Sequence, residues 1–167
     1  MSRDGVLRFA DTVTRETAPT PAPAVERELH LITFGLDREE YGIRVGQVRE
    51  VIRVTEITRV PQSPAHVRGV TNLRGRILPV VEIRTRLGLE PAVVTPRSRI
   101  IVVDVHDRVL GILVDAVLQV AKVPENTVTP PPEEVVTPQT DYISGVAHWS
   151  GRLIILLELE KVLLLQE

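Results

Sequence analysis

From Leu29 the apolar positions recur with a period of two. His30, Ile32, Phe34 and Leu36 share one face, and a charged turn over residues 37–40 leads to a return strand over 41–44. Val45, Val48 and Val51 then recur every third residue, which predicts one short helical turn running into another strand. Residues 55–64 read as a loop closed by Pro61 and Pro64. Residues 67–73 and 76–83 predict a hairpin turning at Arg74-Gly75, where glycine tolerates positive φ. Pro79 has no amide donor, so its strand is expected at an edge or a bulge. A short helix through Arg86 is expected to end at Gly88, a residue suited to a helix C-terminus.

The pattern then starts again. Residues 100–105, a turn at His106-Asp107-Arg108 and residues 110–114 mirror residues 31–45. The pairs Tyr41/Leu110, Gly42/Gly111, Ile43/Ile112, Val45/Val114, Val48/Val117 and Val51/Val120 all differ by 69. The hairpin also recurs, at an offset of 76: Gly69/Gly145, Val70/Val146, Gly75/Gly151, Arg76/Arg152 and Glu82/Glu158 are identical. The extra residues fall in the Pro130-Pro131-Pro132 stretch that runs to Pro138, a stiff exposed loop. The chain ends in a predicted helix over 160–166, with Leu159, Val162 and Leu163 on its apolar face.

An internal repeat of about five short strands implies a mainly β fold of two small barrels. We expect a flexible, Pro-containing tail over residues 1–27, in which Val6, Leu7 and Phe9 form a short apolar motif. A first barrel over 28–90 and a second over 98–167 follow, the latter carrying the C-terminal helix. Units of about 60 residues are marginal alone, so the two are expected to share a core. The second copy supports this: Leu113, Ala116 and Leu118 replace Arg44, Gln47 and Arg49, an element apolar on both faces.

Composition narrows the chemistry. Aromatics make up 3% of the chain, so the core is aliphatic. The formal net charge of −2 gives no general attraction to nucleic acid or anionic membrane. There is no cysteine, which removes disulfides, thiol catalysis and zinc–thiolate sites. The first residues have no apolar run of signal-peptide length, and no stretch reaches the roughly 18 apolar residues of a membrane helix. Direct membrane insertion is therefore not expected.

The search for catalytic groups is mostly negative. His30, His66, His106 and His148 lack metal-ligand spacing. Asp141, His148 and Ser150 invite a hydrolase triad, yet no nucleophile elbow or oxyanion loop accompanies them. Gly69 and Gly75 lack the spacing and the Lys-Ser/Thr of a phosphate loop. A nucleic-acid-binding barrel needs aromatic platforms and a basic groove, which two Phe, two Tyr and one Trp do not supply. What stands out is the tip of the first hairpin. Asn72, Leu73 and Arg74 face His148, Trp149 and Ser150 in the repeat, so the fold does not demand arginine at 74. A fork between Arg74 and Glu50 would shape a binding surface there.

Two stretches, LITFGLDREEYGIRVGQVREV and VPQSPAHVRGVTNLRGRILPVVEIRTRLGL, resemble CheW, the coupling-protein family of bacterial chemotaxis. RVLGILVDAV and TDYISGVAHWSGRLIILLELEKVL continue the likeness, which spans about residues 29–164. The resemblance implies two SH3-like five-stranded barrels and a non-enzymatic adaptor without cofactor or metal. It also implies two partners in the cytoplasm at the inner face of the membrane. These are the tips of methyl-accepting chemotaxis receptors and the CheW-like regulatory domain of the histidine kinase CheA. By position, the receptor groove would comprise Val45, Val48, Glu50, Val51 and Arg74, with Asn72 as a neighbouring polar tip. Kinase contacts would fall on barrel edges in both halves. The same scaffold could instead serve a pathway for gliding, twitching or gene control. Arg44 departs from the acidic residue often found after YGI in the family.

Overall fold

A computed structural model describes residues 27–135, 137 and 140–163. The expected N-terminal tail, apart from Arg27, and the last residues of the expected C-terminal helix lie outside them. Eleven strands follow in order: β1 (Glu28–Leu36), β2 (Glu39–Arg44), β3 (Val48–Arg53), β4 (Val67–Leu73), β5 (Arg76–Glu82), β6 (Arg99–Val105), β7 (Arg108–Val114), β8 (Ala116–Pro124), β9 (Val128–Thr129), β10 (Ile143–Trp149) and β11 (Arg152–Leu157). Two short helices, α1 (Ile83–Arg86) and α2 (Leu159–Leu163), follow β5 and β11. One sheet has the order β8-β1-β2-β11-β10-β9 and the other β3-β6-β7-β5-β4. Two small, mainly β, SH3-like units packed together agree with the expected fold class.

The chain is partitioned differently from the 28–90 and 98–167 division. The β1–β2 hairpin of the first repeat sits in the sheet of the second, and β6–β7 of the second sits in the sheet of the first. The three-residue 3-10 turn Val45–Gln47 carries the chain out of one sheet, and Asp115 carries it back. The two exchanges are the same contact made twice. β5 runs parallel to β7 with Val80 opposite Gly111, and β11 runs parallel to β2 with Leu156 opposite Gly42. Periodicity could not reveal this exchange, because hairpins of both copies present equivalent apolar faces and either would satisfy either sheet.

Three apolar clusters result. Leu31, Ala121, Val123, Ala147, Ile154 and Leu156 fill the six-stranded unit, and Leu78, Val80, Ile100, Val102 and Leu113 fill the five-stranded one. Between them lies a shared core that includes Ile32, Phe34, Ile43, Ile101, Val103 and Ile112. Phe34 and Tyr41 stack across β1 and β2 with ring centroids 6.0 Å apart. Ile83 of α1 and Leu159 of α2, 76 residues apart, are both fully buried in this core. The C-terminal helix therefore packs between the units, where its Val162 carbonyl accepts from Arg86 Nε at 2.9 Å. Gly88 (φ +82°) closes α1 as expected: the Leu89 and Gly88 amides donate to the Arg84 and Thr85 carbonyls.

Some local expectations needed adjustment. β5 is an interior strand, so Pro79 is not at an edge; it precedes Val80, the first residue paired with β7. Of the second-copy residues expected to be covered, Leu113 and Ala116 are buried, whereas Leu118 stays 41% exposed. The Pro-rich insertion contains a short 3-10 turn, Glu133–Val135, exposed as expected; Pro138 lies outside the described residues.

Candidate partner-binding site

A spacing of three does not normally hold residues on one side of a strand, yet Val45, Val48 and Val51 do share a side. A β-bulge makes this possible. Val48 pairs with Val103, Glu50 pairs with Val102 and Val51 with Ile101, which leaves Arg49 as the extra residue. Val103 and Ile101 belong to the shared core, so Val48 and Val51 point to that side. Val45 and Val48 pack against the core, and Val51 is 38% exposed at its margin. The second copy repeats the device: the register of β1 on β8 shifts around Leu118, so Val117 and Val120 lie opposite Phe34 and Ile32. β3 and β8 are each the outermost strand of their sheet.

The bulge sends Glu50 the other way, onto the side of Val102. There Arg74 grips it through two bonds: one terminal nitrogen donates to Glu50 Oε2 at 2.6 Å, the other to Oε1 at 2.8 Å. This is the expected fork. The hydrogen bonds from Arg74 hold the Glu50 carboxyl below its ordinary range, and in return Arg74 is held more firmly protonated. Arg74 is at φ +53° and Gly75 at φ +84°, and their repeat partners Ser150 and Gly151 match at +56° and +78°. The hairpin thus requires a left-handed residue at 74 but not an arginine. Asn72 proves to be a turn residue first: its Oδ1 accepts the Gly75 amide at 2.9 Å. The fork borders a cleft of about 410 Å³ lined by Leu73, Ile77, Leu78, Val102 and Val109.

The five predicted groove residues therefore form two surfaces on opposite sides of β3. One is the valine stripe, and the other is the Glu50–Arg74 fork. Periodicity did not single out two exposed apolar residues, Ile77 at 66% and Val120 at 62% exposure. For Val120 a signal existed in its 69-residue offset from Val51. For Ile77 none did, because strand alternation alone does not say which face is covered.

Arg76 and Arg152 recur by sequence but differ in partner. Glu40, 8% exposed, accepts Arg152 Nε and a terminal nitrogen at 2.9 and 2.7 Å, and Gln119 donates to it at 3.1 Å. At the position equivalent to Glu40 the five-stranded unit has Val109, and Arg76 has no carboxylate partner among the described residues. Burial by itself would raise the Glu40 pKa. The nearby Thr33 hydroxyl, hydrogen bonds from Gln119 and Arg152 and the charge of Arg152 outweigh it and leave the carboxyl below its ordinary value. A depressed carboxyl stabilises the fold above its unfolded pKa and ceases to do so as pH falls through the folded value. Arg152→Leu should therefore cost about 2–3 kcal/mol at neutral pH. The deficit should narrow in acid as the orphaned Glu40 protonates, a trend that urea melts at pH 7 and pH 4.5 will check.

Asp141, His148 and Ser150 make no hydrogen bond to one another among the described residues, and His148 is exposed on β10.

The family model described as CheW-like domain matches residues 30–167. Over 132 residues the chain is 39% identical to the chemotaxis protein CheW of Rhizobium meliloti (strain 1021), covering 79% of this chain and 85% of that one. It is 32% identical over 117 residues to Protein FrzA of Myxococcus xanthus, covering 69% and 73%. The crystal structure of the scaffolding protein TtCheW from Thermoanaerobacter tengcongensis superposes with a TM-score of 0.74 at 34% identity. That match covers 81% of this chain and 92% of the other.

Proposed function

Because this chain belongs to the CheW-like family, we propose that it is a non-enzymatic scaffold. It couples the cytoplasmic tips of methyl-accepting chemotaxis receptors to the histidine kinase CheA. The observation that carries this reading is the bulged edge strand β3, which sets Val48 and Val51 on the side where Val45 of the preceding turn packs, with Val51 open to solvent. A receptor helix lays its apolar face on that stripe in the helix-in-groove manner. The Glu50–Arg74 fork fixes the neighbouring hairpin and offers a second, polar surface on the far side of the same strand. Kinase contacts fall on barrel edges of both units, and the protein works in the cytoplasm, held at the inner membrane face through its partners. The likeness to Protein FrzA favours one alternative setting, in which the same scaffold serves a pathway for gliding, twitching or gene control. A deletion strain assayed for swimming and for surface motility separates the two.

Val51 is the better test position, since Val48 packs against the core and a charge there would unsettle the fold. Val51→Asp should reduce co-sedimentation with receptor cytoplasmic fragments at least tenfold. Its thermal midpoint and its capture by the CheA regulatory domain should change little. Undiminished receptor binding would remove the stripe from the interface.

A further inference from the structure

The two units carry opposite charge. Residues 45–114, which contain the five-stranded sheet, hold eleven arginines and six carboxylates, a net +5. Residues 27–44 and 115–163, which contain the six-stranded sheet, hold six cations and eleven carboxylates, a net −5. The overall charge of −2 hides this split. The valine stripe of β3 lies in the positive unit.

Around the stripe the cations are uncompensated. Arg53 follows Val51 by two residues and shares its side of β3, directly opposite Arg99 on β6. Like charges placed opposite one another destabilise a sheet. Neither has a carboxylate partner among the described residues, and Arg99 donates only to the Pro96 and Ser98 carbonyls. Three acids around the stripe are committed elsewhere: Glu50 to Arg74, Asp104 to Arg49 at 2.7 Å, and Glu160 to Gln47 at 3.4 Å. The second copy relieves the same clash. There Lys122 stands opposite His30, and a Glu28 oxygen lies 3.7 Å from the imidazole.

We propose that the segment docking on the Val45–Val48–Val51 stripe is acidic at the end that lies over Arg53 and Arg99, with Asp or Glu set to meet that pair. The inference rests on the docking reading above and adds the chemistry of the partner. Apolar contact with the valines holds the segment in place. The charge match selects among competing helices and speeds encounter, because long-range attraction acts before contact is made. Arg53 and Arg99 are the specificity residues.

Two stapled helical peptides test it against the full chain by fluorescence anisotropy. Both carry leucine at i, i+3 and i+7; one is flanked by glutamates and the other by lysines. At 50 mM NaCl the glutamate peptide should bind at least tenfold more tightly, with the advantage shrinking at 300 mM as the charges are screened. The double variant Arg53→Glu, Arg99→Glu should invert the preference, and Val51→Asp should weaken both peptides. Equal binding of the two peptides, or a glutamate preference that survives the charge reversal, overturns the acidic-partner proposal and leaves the apolar stripe standing. Binding indifferent to Val51→Asp, or no binding of either peptide to the wild type, removes the docking reading beneath it.

Discussion

Gly69→Ala should lower the unfolding free energy by about 3 kcal/mol, and Gly145→Ala by about 1 kcal/mol. Both glycines occupy the same place in the repeat, and both let a neighbouring segment approach the backbone. A Cβ at Gly69 would stand 2.3 Å from the Thr58 carbonyl oxygen and 2.9 Å from Ile57 Cγ2, on a backbone at φ +151°. Thr58 cannot retreat freely, because its amide and carbonyl are both bonded to Val70, at 2.8 and 2.9 Å. At Gly145 the nearest atoms are Val128 Cγ1 at 2.9 Å and the Thr129 carbonyl at 3.0 Å, and the φ is unstrained. The valine methyl can rotate away there, whereas at Gly69 backbone must move. Urea denaturation followed by circular dichroism gives both values. Equal losses would show that the loop carrying Thr58 shifts more easily than its hydrogen bonds imply.

Arg84→Ala should cost about 2–4 kcal/mol, with Glu160→Ala, its repeat counterpart, costing about 0.5 kcal/mol or less. Arg84 lies in α1 with its side chain 9% exposed. Its Nε donates to the Glu90 carbonyl at 2.6 Å, and its terminal nitrogens reach Asp115 and Asp37, each at 2.8 Å. Asp37 belongs to the β1–β2 turn and Asp115 to the crossover between β7 and β8, so one guanidinium joins helix, hairpin and crossover. Asp115 also accepts the Asp37 amide at 2.9 Å. Removing Arg84 leaves two carboxylates facing each other without a cation. Arg84→Lys should recover only part of the loss, since an ammonium cannot span three acceptors set in a planar fork. At the other crossover the equivalent link is the long Gln47–Glu160 hydrogen bond, 3.4 Å. Parallel urea melts of the three variants check the ranking, and similar losses at both crossovers would contradict it.

Much of this molecule was legible in the chain. Alternation placed the strands, the 69- and 76-residue offsets exposed the duplication, and comparison of the two hairpin tips singled out Arg74 and foresaw its fork with Glu50. These are local properties, or comparisons of one stretch with another, and a linear pattern carries them. Three things were not legible. Asn72 drew attention as a difference between copies, but its acceptor is held by the Gly75 amide, a bond visible only once the turn is built. The valine stripe and the fork were expected in one groove. A single extra residue at Arg49 divides them between the two sides of β3, and no propensity marks a bulge there.

The third is the exchange of hairpins, and it separates what each level determined. Residue order alone determined that there are two similar β units, with aliphatic interiors and glycine turns. Only the tertiary structure decided which hairpin completes which unit. Equivalent apolar faces compete for the same position, and the choice rests on where the short crossovers at Val45–Gln47 and Asp115 can lead the chain and on how Arg84 ties one of them down.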